Sequence, residues 1–126
     1  MKGYWIVKVN DLHLDKQKIY KELATEAVKK FNGRFLVRDG KNITMEGREF
    51  ERNVIVEYET FDLAKQAYNS DDYQNAKKIL GEDKDRLFAI VEGVESVVKK
   101  LMYWSGYLIQ LYHVLVMTLL SLIQRD

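Results

Sequence analysis

The chain has 126 residues, with 20 basic and 19 acidic side chains and a net charge of +1, so no global basic field exists to hold nucleic acid by its phosphates. It contains no cysteine, which excludes disulfides, thiolate nucleophiles and cysteine metal sites. A hydrophobic fraction of 47% beside a charged fraction of 31% is that of an ordinary globular protein, one domain with an appendage.

The opening segment, Met1-Lys2-Gly3-Tyr4-Trp5-Ile6-Val7-Lys8, carries charge inside its apolar run and does not read as a secretory signal, so a cytoplasmic location is the expectation. Tyr4 to Val9 is rich in β-branched and aromatic residues and reads as a first strand. Asn10 and Asp11 then offer capping oxygens. From Leu14 to Phe31 the period changes: Ile19, Leu23, Ala27 and Phe31 recur every four residues with Tyr20 and Ala24 beside them, which predicts an amphipathic helix on a sheet. Asn32-Gly33 ends it, Gly33 being suited to a left-handed cap.

Arg34 to Arg38 is the second strand, with Phe35 and Val37 expected on one face. Asp39-Gly40-Lys41-Asn42 is a turn signal, and Ile43 to Gly47 is expected to extend the hairpin arm. Asn53 to Tyr58 is the third strand, with Val54, Val56 and Tyr58 on one face and Ile55 and Glu57 on the other. Thr60 is an N-cap for a helix through Leu63, Ala64, Ala67 and Tyr68; Ser70 and Asp71 restart it through Tyr73, Ala76, Ile79 and Leu80. Arg86 to Val94 contains the last core strand. Strand, helix, strand, strand, helix, strand is the split βαβ order, so the expected class is α+β with a ferredoxin-like βαββαβ sandwich. Two helices cover one face of such a sheet. The other face needs a second cover, and another copy of the chain is the simplest one.

The segments Lys2-Gly3-Tyr4-Trp5-Ile6, Gly33 to Gly40, Glu46-Gly47, Tyr68-Asn69-Ser70 with Tyr73-Gln74, and Val91-Glu92-Gly93-Val94 occur in an order that resembles the domain-of-unknown-function family 1330 (DUF1330). The resemblance covers Met1 to about Glu95 and implies a dimeric α+β barrel, paired sheet to sheet. It implies no activity. Related barrels include cofactor-independent monooxygenases, haem-degrading enzymes and small-molecule isomerases, an analogy at the level of fold alone. Asp39 stands where the family usually has a second glycine, and the chain continues well past the family pattern. The domains read as 1–95, the barrel, and 96–126, a helical extension.

Arg34, Arg38, Glu46, Arg52 and Glu57 lie on or near the central strands. A guanidinium such as Arg38 or Arg34 in a barrel mouth binds a substrate carboxylate through two parallel hydrogen bonds. Glu46 or Glu57, buried beside apolar groups, would suit a general base. The simpler reading pairs these charges with one another across strands. Tyr68 and Tyr73, like Tyr20, lie on helix faces aimed at the sheet, where a phenol lines either a pocket or the core. The pocket candidates are therefore Arg34, Arg38, Glu46, Tyr68 and Tyr73, for a small organic ligand. His13 and His113 are far apart and lack clustered acids, so neither a metal nor a cofactor is expected. No phosphate loop, nucleophile elbow or zincin signature is present.

Leu101 to Ile123 contains no Asp, Glu, Lys or Arg. It is long enough to span a bilayer, which takes about 20 residues. Tyr103, Trp104 and Tyr107 cluster at its start, and Lys99, Lys100 and Arg125 bracket it, as interfacial residues do. Leu101, Leu108, Leu115 and Leu122 with Trp104 and Leu111 also form a heptad stripe, suited to packing on protein, and Gln110 and His113 are costly in lipid. The favoured expectation is a homodimer or higher homo-oligomer without an identifiable catalytic constellation, the tail helix adding contacts. A small barrel enzyme and a membrane-tethered binding module are the alternatives.

Overall fold

The computed structural model describes residues 1–95 and 97–124, with residues 97–100 described by their backbone alone. The Lys99, Lys100 and Arg125 side chains that bracket the apolar tail thus lie outside the described residues. Two compact units, Met1–Val94 and Glu95–Asp126, are each described by itself.

In the first unit the elements run β1 (Gly3–Asn10), α1 (Leu14–Lys30), β2 (Arg34–Arg38), β3 (Arg52–Tyr58), α2 (Phe61–Asn69), α3 (Asp71–Leu80) and β4 (Asp85–Glu92). The sheet order is β2-β3-β1-β4 with every neighbouring pair antiparallel, the ferredoxin-like arrangement of an α+β sandwich. Registers Trp5↔Val56, Trp5↔Ile90, Val7↔Val54 and Val7↔Phe88 put these side chains on the helix-covered face. Trp5, Val7, Val9, Val56 and Tyr58 are buried there with Ala24, Ala27, Val28, Ala64, Ala67, Tyr73 and Ala76. Alanines on the helices let the backbones approach the large rings of the strands. Trp5 is the hub: its ring lies 5.2 Å from Tyr58, 5.0 Å from Tyr73 and 5.1 Å from Phe88, and its Nε1 donates to Ala64 O at 2.8 Å. The other face carries Tyr4, Ile6, Ile55, Ala89 and Val91, by the same alternation.

Thr60 and Ser70 cap α2 and α3 as expected, each hydroxyl accepting from the amide three residues on, Leu63 and Tyr73 respectively. Gly3 is fixed by close approach: a Cβ there would sit 2.6 Å from Phe61 Cα, so β1 passes directly beneath the start of α2.

Several local expectations need correction. The left-handed residue after α1 is Asn32 (φ 55°), while Gly33 serves space, since a Cβ would meet the Tyr58 ring and Val28 at 2.8 Å. Asn10 and Asp11 do not cap α1; His13 holds the cap position without a side-chain bond, Asn10 accepts from Glu51 N, and Asp11 pairs with Arg52. Ile19 and Leu23 are largely exposed, because α1 turns Gln17, Ala24, Ala27 and Val28 inward instead. Residues 41–51 form no strand arm; Phe50 is buried beneath Arg48, whose guanidinium lies 4.7 Å above its ring. Phe35 and Val37 do not share a face. The register slips between them, so Phe35 opposes Val56 on the helix side and Val37 opposes Ile55 on the open side.

The second unit is described by α4 (Val97–Ile123), one uninterrupted helix. From 101 to 124 every described side chain is exposed except Val116, which is half-buried.

Candidate functional site

The slip in β2 positions the site. With strict alternation from Phe35, Arg38 would point to the open face. The extra residue instead sets Arg38 opposite Val54, on the helix side. There the guanidinium stacks 4.2 Å from the Phe35 ring centre, and Nη2 donates to Thr25 Oγ1 at 2.7 Å. Thr25 Oγ1 in turn donates to Lys21 O at 2.6 Å, one turn back along α1.

Arg38 thereby stands at the edge of a cavity of about 50 Å³ between α1 and the β1–β3–β2 half of the sheet. Its walls are Trp5, Val7, Ala24, Val28, Phe35, Val54 and Val56. Its polar lining is Tyr20, Lys21, Thr25, Arg38, Asp39 and Arg52. Asp39 has φ 59°, a conformation aspartate tolerates better than most residues. That turn sends its carboxylate back to accept from Lys21 Nζ and Arg52 Nη1, both at 3.0 Å. Arg52 Nη2 donates to Asp11 Oδ1 at 2.7 Å and Gln17 Oε1 at 3.2 Å, while its Nε is buried without a partner. Burial pushes the Asp39 carboxyl up, but the hydrogen bond from Lys21 and the charge of Arg52 outweigh it, and the net result is below the usual carboxylate range. Asp39 is held as an anion, which makes it a poor proton acceptor.

Tyr20 connects the cavity to a second cluster. Arg86, opposite Val9 on β4, donates from Nη2 to Tyr73 OH at 2.8 Å and Tyr20 OH at 3.1 Å, and the two phenols are 2.8 Å apart. The guanidinium lies 5.0 Å from the Tyr20 ring and 5.3 Å from Phe88. Its Nη1 is buried without a partner, and among the described residues no carboxylate forms an ion pair with it. Burial, reinforced by Tyr20, drives the Tyr73 phenol far above its ordinary range, so it stays protonated as a hydrogen-bonding group.

Of the five pocket candidates read from the sequence, only Arg38 lines the cavity. Arg34 is on the open side, where it pairs with its cross-strand neighbour Glu57 at 3.0 Å; Glu57 also accepts from Tyr4 OH at 3.0 Å. Tyr73 is core, fully buried. Tyr68 packs 5.1 Å from Tyr73 and 4.9 Å from Phe88, with Lys77 donating to its hydroxyl at 3.2 Å. Glu46 sits exposed in a bend of the 41–51 loop. His13 Nε2 lies 3.0 Å from Asp83, and no three metal-binding side chains cluster among the described residues. Sequence reasoning passed over Lys21, Thr25 and Asp39 as surface helix and turn. The one available signal was an aspartate in a turn position beside an arginine strand.

Residues 2–94 match the model of a domain of unknown function, DUF1330. A protein of unknown function from Rhodopseudomonas palustris superposes with a TM-score of 0.60 at 11% identity, over 75% of this chain and 84% of its own. A dimeric ferredoxin-like protein of unknown function from Jannaschia sp. CCS1 gives 0.60 at 10% identity, over 74% of this chain and 100% of its own. An ethyl tert-butyl ether D family protein from Bacillus halodurans gives 0.50 at 14% identity, over 75% and 100%. At such identities the likeness is one of fold. No curated protein matches the chain.

Proposed function

The chain belongs to the DUF1330 family, and we propose that it works as a homodimeric α+β barrel that binds a small organic carboxylate in the cavity beneath α1. The observation that carries this reading is Arg38. Lys21 pairs with Asp39 and Arg52 with Asp39 and Asp11, whereas among the described residues Arg38 has a hydroxyl and an aromatic ring as its partners and no carboxylate. An unpaired guanidinium at the lip of an apolar cavity suits an acid whose hydrocarbon part enters while its carboxylate stays at the rim. The cavity is well below the roughly 300 Å³ at which drug-sized pockets begin, so the ligand is a short-chain acid. The one carboxylate in the lining, Asp39, is held as an anion by Lys21 and Arg52, and binding therefore fits the site better than acid–base catalysis.

The dimer rests on the open sheet face. Ile6 and Ile55 are cross-strand partners at its middle, and Leu87, Val91 and Val37 are exposed around them. The Jannaschia neighbour is described as dimeric, which agrees with a homo-oligomer.

The test is a thermal-shift series with two- to six-carbon carboxylates and their amides on the full chain in detergent, with Arg38→Met alongside. Acids should raise Tm by a few degrees at millimolar concentration, amides should not, and Arg38→Met should abolish the difference. Equal responses to acid and amide would remove the carboxylate from the proposal.

A further inference from the structure

We infer that α4 crosses a lipid bilayer and holds the DUF1330 domain at a membrane surface. The stretch Leu101–Ile123 is 23 residues long, and its most apolar 18 residues have a mean hydropathy of 1.7 with none of them fully buried. At about 1.5 Å per residue it spans roughly 35 Å, enough for a hydrocarbon core of about 30 Å. Tyr103, Trp104 and Tyr107 lie within its first two turns, Trp104 and Tyr107 packed edge to face at 5.8 Å. Amphipathic rings at one end of an uncharged helix match the headgroup boundary.

The choice between lipid and protein as cover is decided by how far round the helix the apolar residues extend. A coiled-coil partner would cover the Leu101, Leu108, Leu115 and Leu122 stripe with Trp104 and Leu111. It would leave Met102, Ile109, Leu119, Leu120 and Ile123 in water, and all of these are exposed. A surrounding apolar medium covers every side at once. The span contains no Asp, Glu, Lys or Arg. Thr118 Oγ1 already donates to Val114 O at 2.9 Å, the in-helix bond that satisfies a hydroxyl in hydrocarbon. Gln110 and His113 are three positions apart and so share one side of the helix.

The cysteine-free chain permits a direct test. Single cysteines replacing Tyr103, Leu108, Tyr112, Met117 and Leu122 in the full chain are labelled with bimane and reconstituted into phosphatidylcholine–phosphatidylglycerol vesicles containing acyl-brominated lipids. Deep-bromine quenching should peak at position 112 and fall at least about twofold toward positions 103 and 122. Oriented circular dichroism of the unlabelled chain should show the weakened 208 nm band of a helix along the bilayer normal. Quenching that oscillates with the helical period would mean a helix lying in the interface. Absent quenching, or recovery of the chain as a discrete oligomer in plain buffer, would mean a protein cover. Either result overturns the inference.

Discussion

The two units of this chain handle apolar side chains in opposite ways. In Met1–Val94 a Trp, two Tyr and a row of Val and Ala are hidden by the chain's own helices. In α4 the described Leu, Ile, Met, Trp and Tyr side chains and Val114 are all displayed. The amino-acid types are nearly the same; what differs is pattern. Period-two strands and half-apolar helices have an inside and an outside, so the chain can fold over them. A helix apolar on every side has no outside to offer water, and its solvent must be something else. The same residue type therefore has different energetic consequences in the two units, and tryptophan shows it most sharply.

Trp5→Ala removes the ring that touches Tyr58, Tyr73 and Phe88 together with the bond to Ala64 O, and should destabilise the domain by about 3–5 kcal/mol. Trp104→Ala should leave the domain's urea midpoint unchanged, because that ring is exposed. Urea unfolding of both variants in detergent, followed by near-ultraviolet circular dichroism, checks the pair. A matched loss from Trp104→Ala would break the contrast.

The open face of the sheet is the intermediate case: alternation gives it an apolar side, yet Ile6 and Ile55 at its middle are only half-buried. A glutamate in place of Ile55 would bury a carboxylate at the centre of the proposed dimer, and the variant should weaken dimerisation by roughly a hundredfold or more while the monomer keeps its fold. Light-scattering mass against concentration checks it. An unchanged dimer would move the interface elsewhere.

Much of this contrast was legible in the sequence. The element order, the caps at Thr60 and Ser70, the facing of Val54, Val56 and Tyr58, and the fully apolar tail all follow from spacing, since each is a local property. What sequence did not reveal is where one element shifts against another. A one-residue slip in β2 moved Arg38 onto the cavity and Val37 away from it. A rotation of α1 about its axis exposed Ile19 and Leu23 and brought Lys21 and Thr25 to the rim. Arg86 gained two phenols from distant helices, contacts with no signature in its own strand. Candidate sites assembled by tertiary register are invisible to periodicity, whereas the barrel that carries them is not.

Charge supplies the smallest and most selective probe of the same contrast. Asp39 is held below its ordinary pKa in the folded domain by Lys21 and Arg52, against the opposing effect of burial. Its contribution to stability is therefore present above the unfolded value of about 3.9 and is lost as pH falls from about 5 through the folded pKa. The stretch Leu101–Ile123 has no Asp, Glu, Lys or Arg, so its helix has no such window. Acid titration should thus erode the near-ultraviolet signal of the domain while the helical signal from α4 persists in detergent. Asparagine keeps the left-handed turn at position 39 but not the charge, so Asp39→Asn should flatten the dependence of the urea midpoint between pH 6 and pH 3 by a measurable fraction. A profile indistinguishable from the parent chain would show that the Lys21–Asp39–Arg52 bridge is held by solvent-exposed geometry alone and contributes nothing to the acid limb.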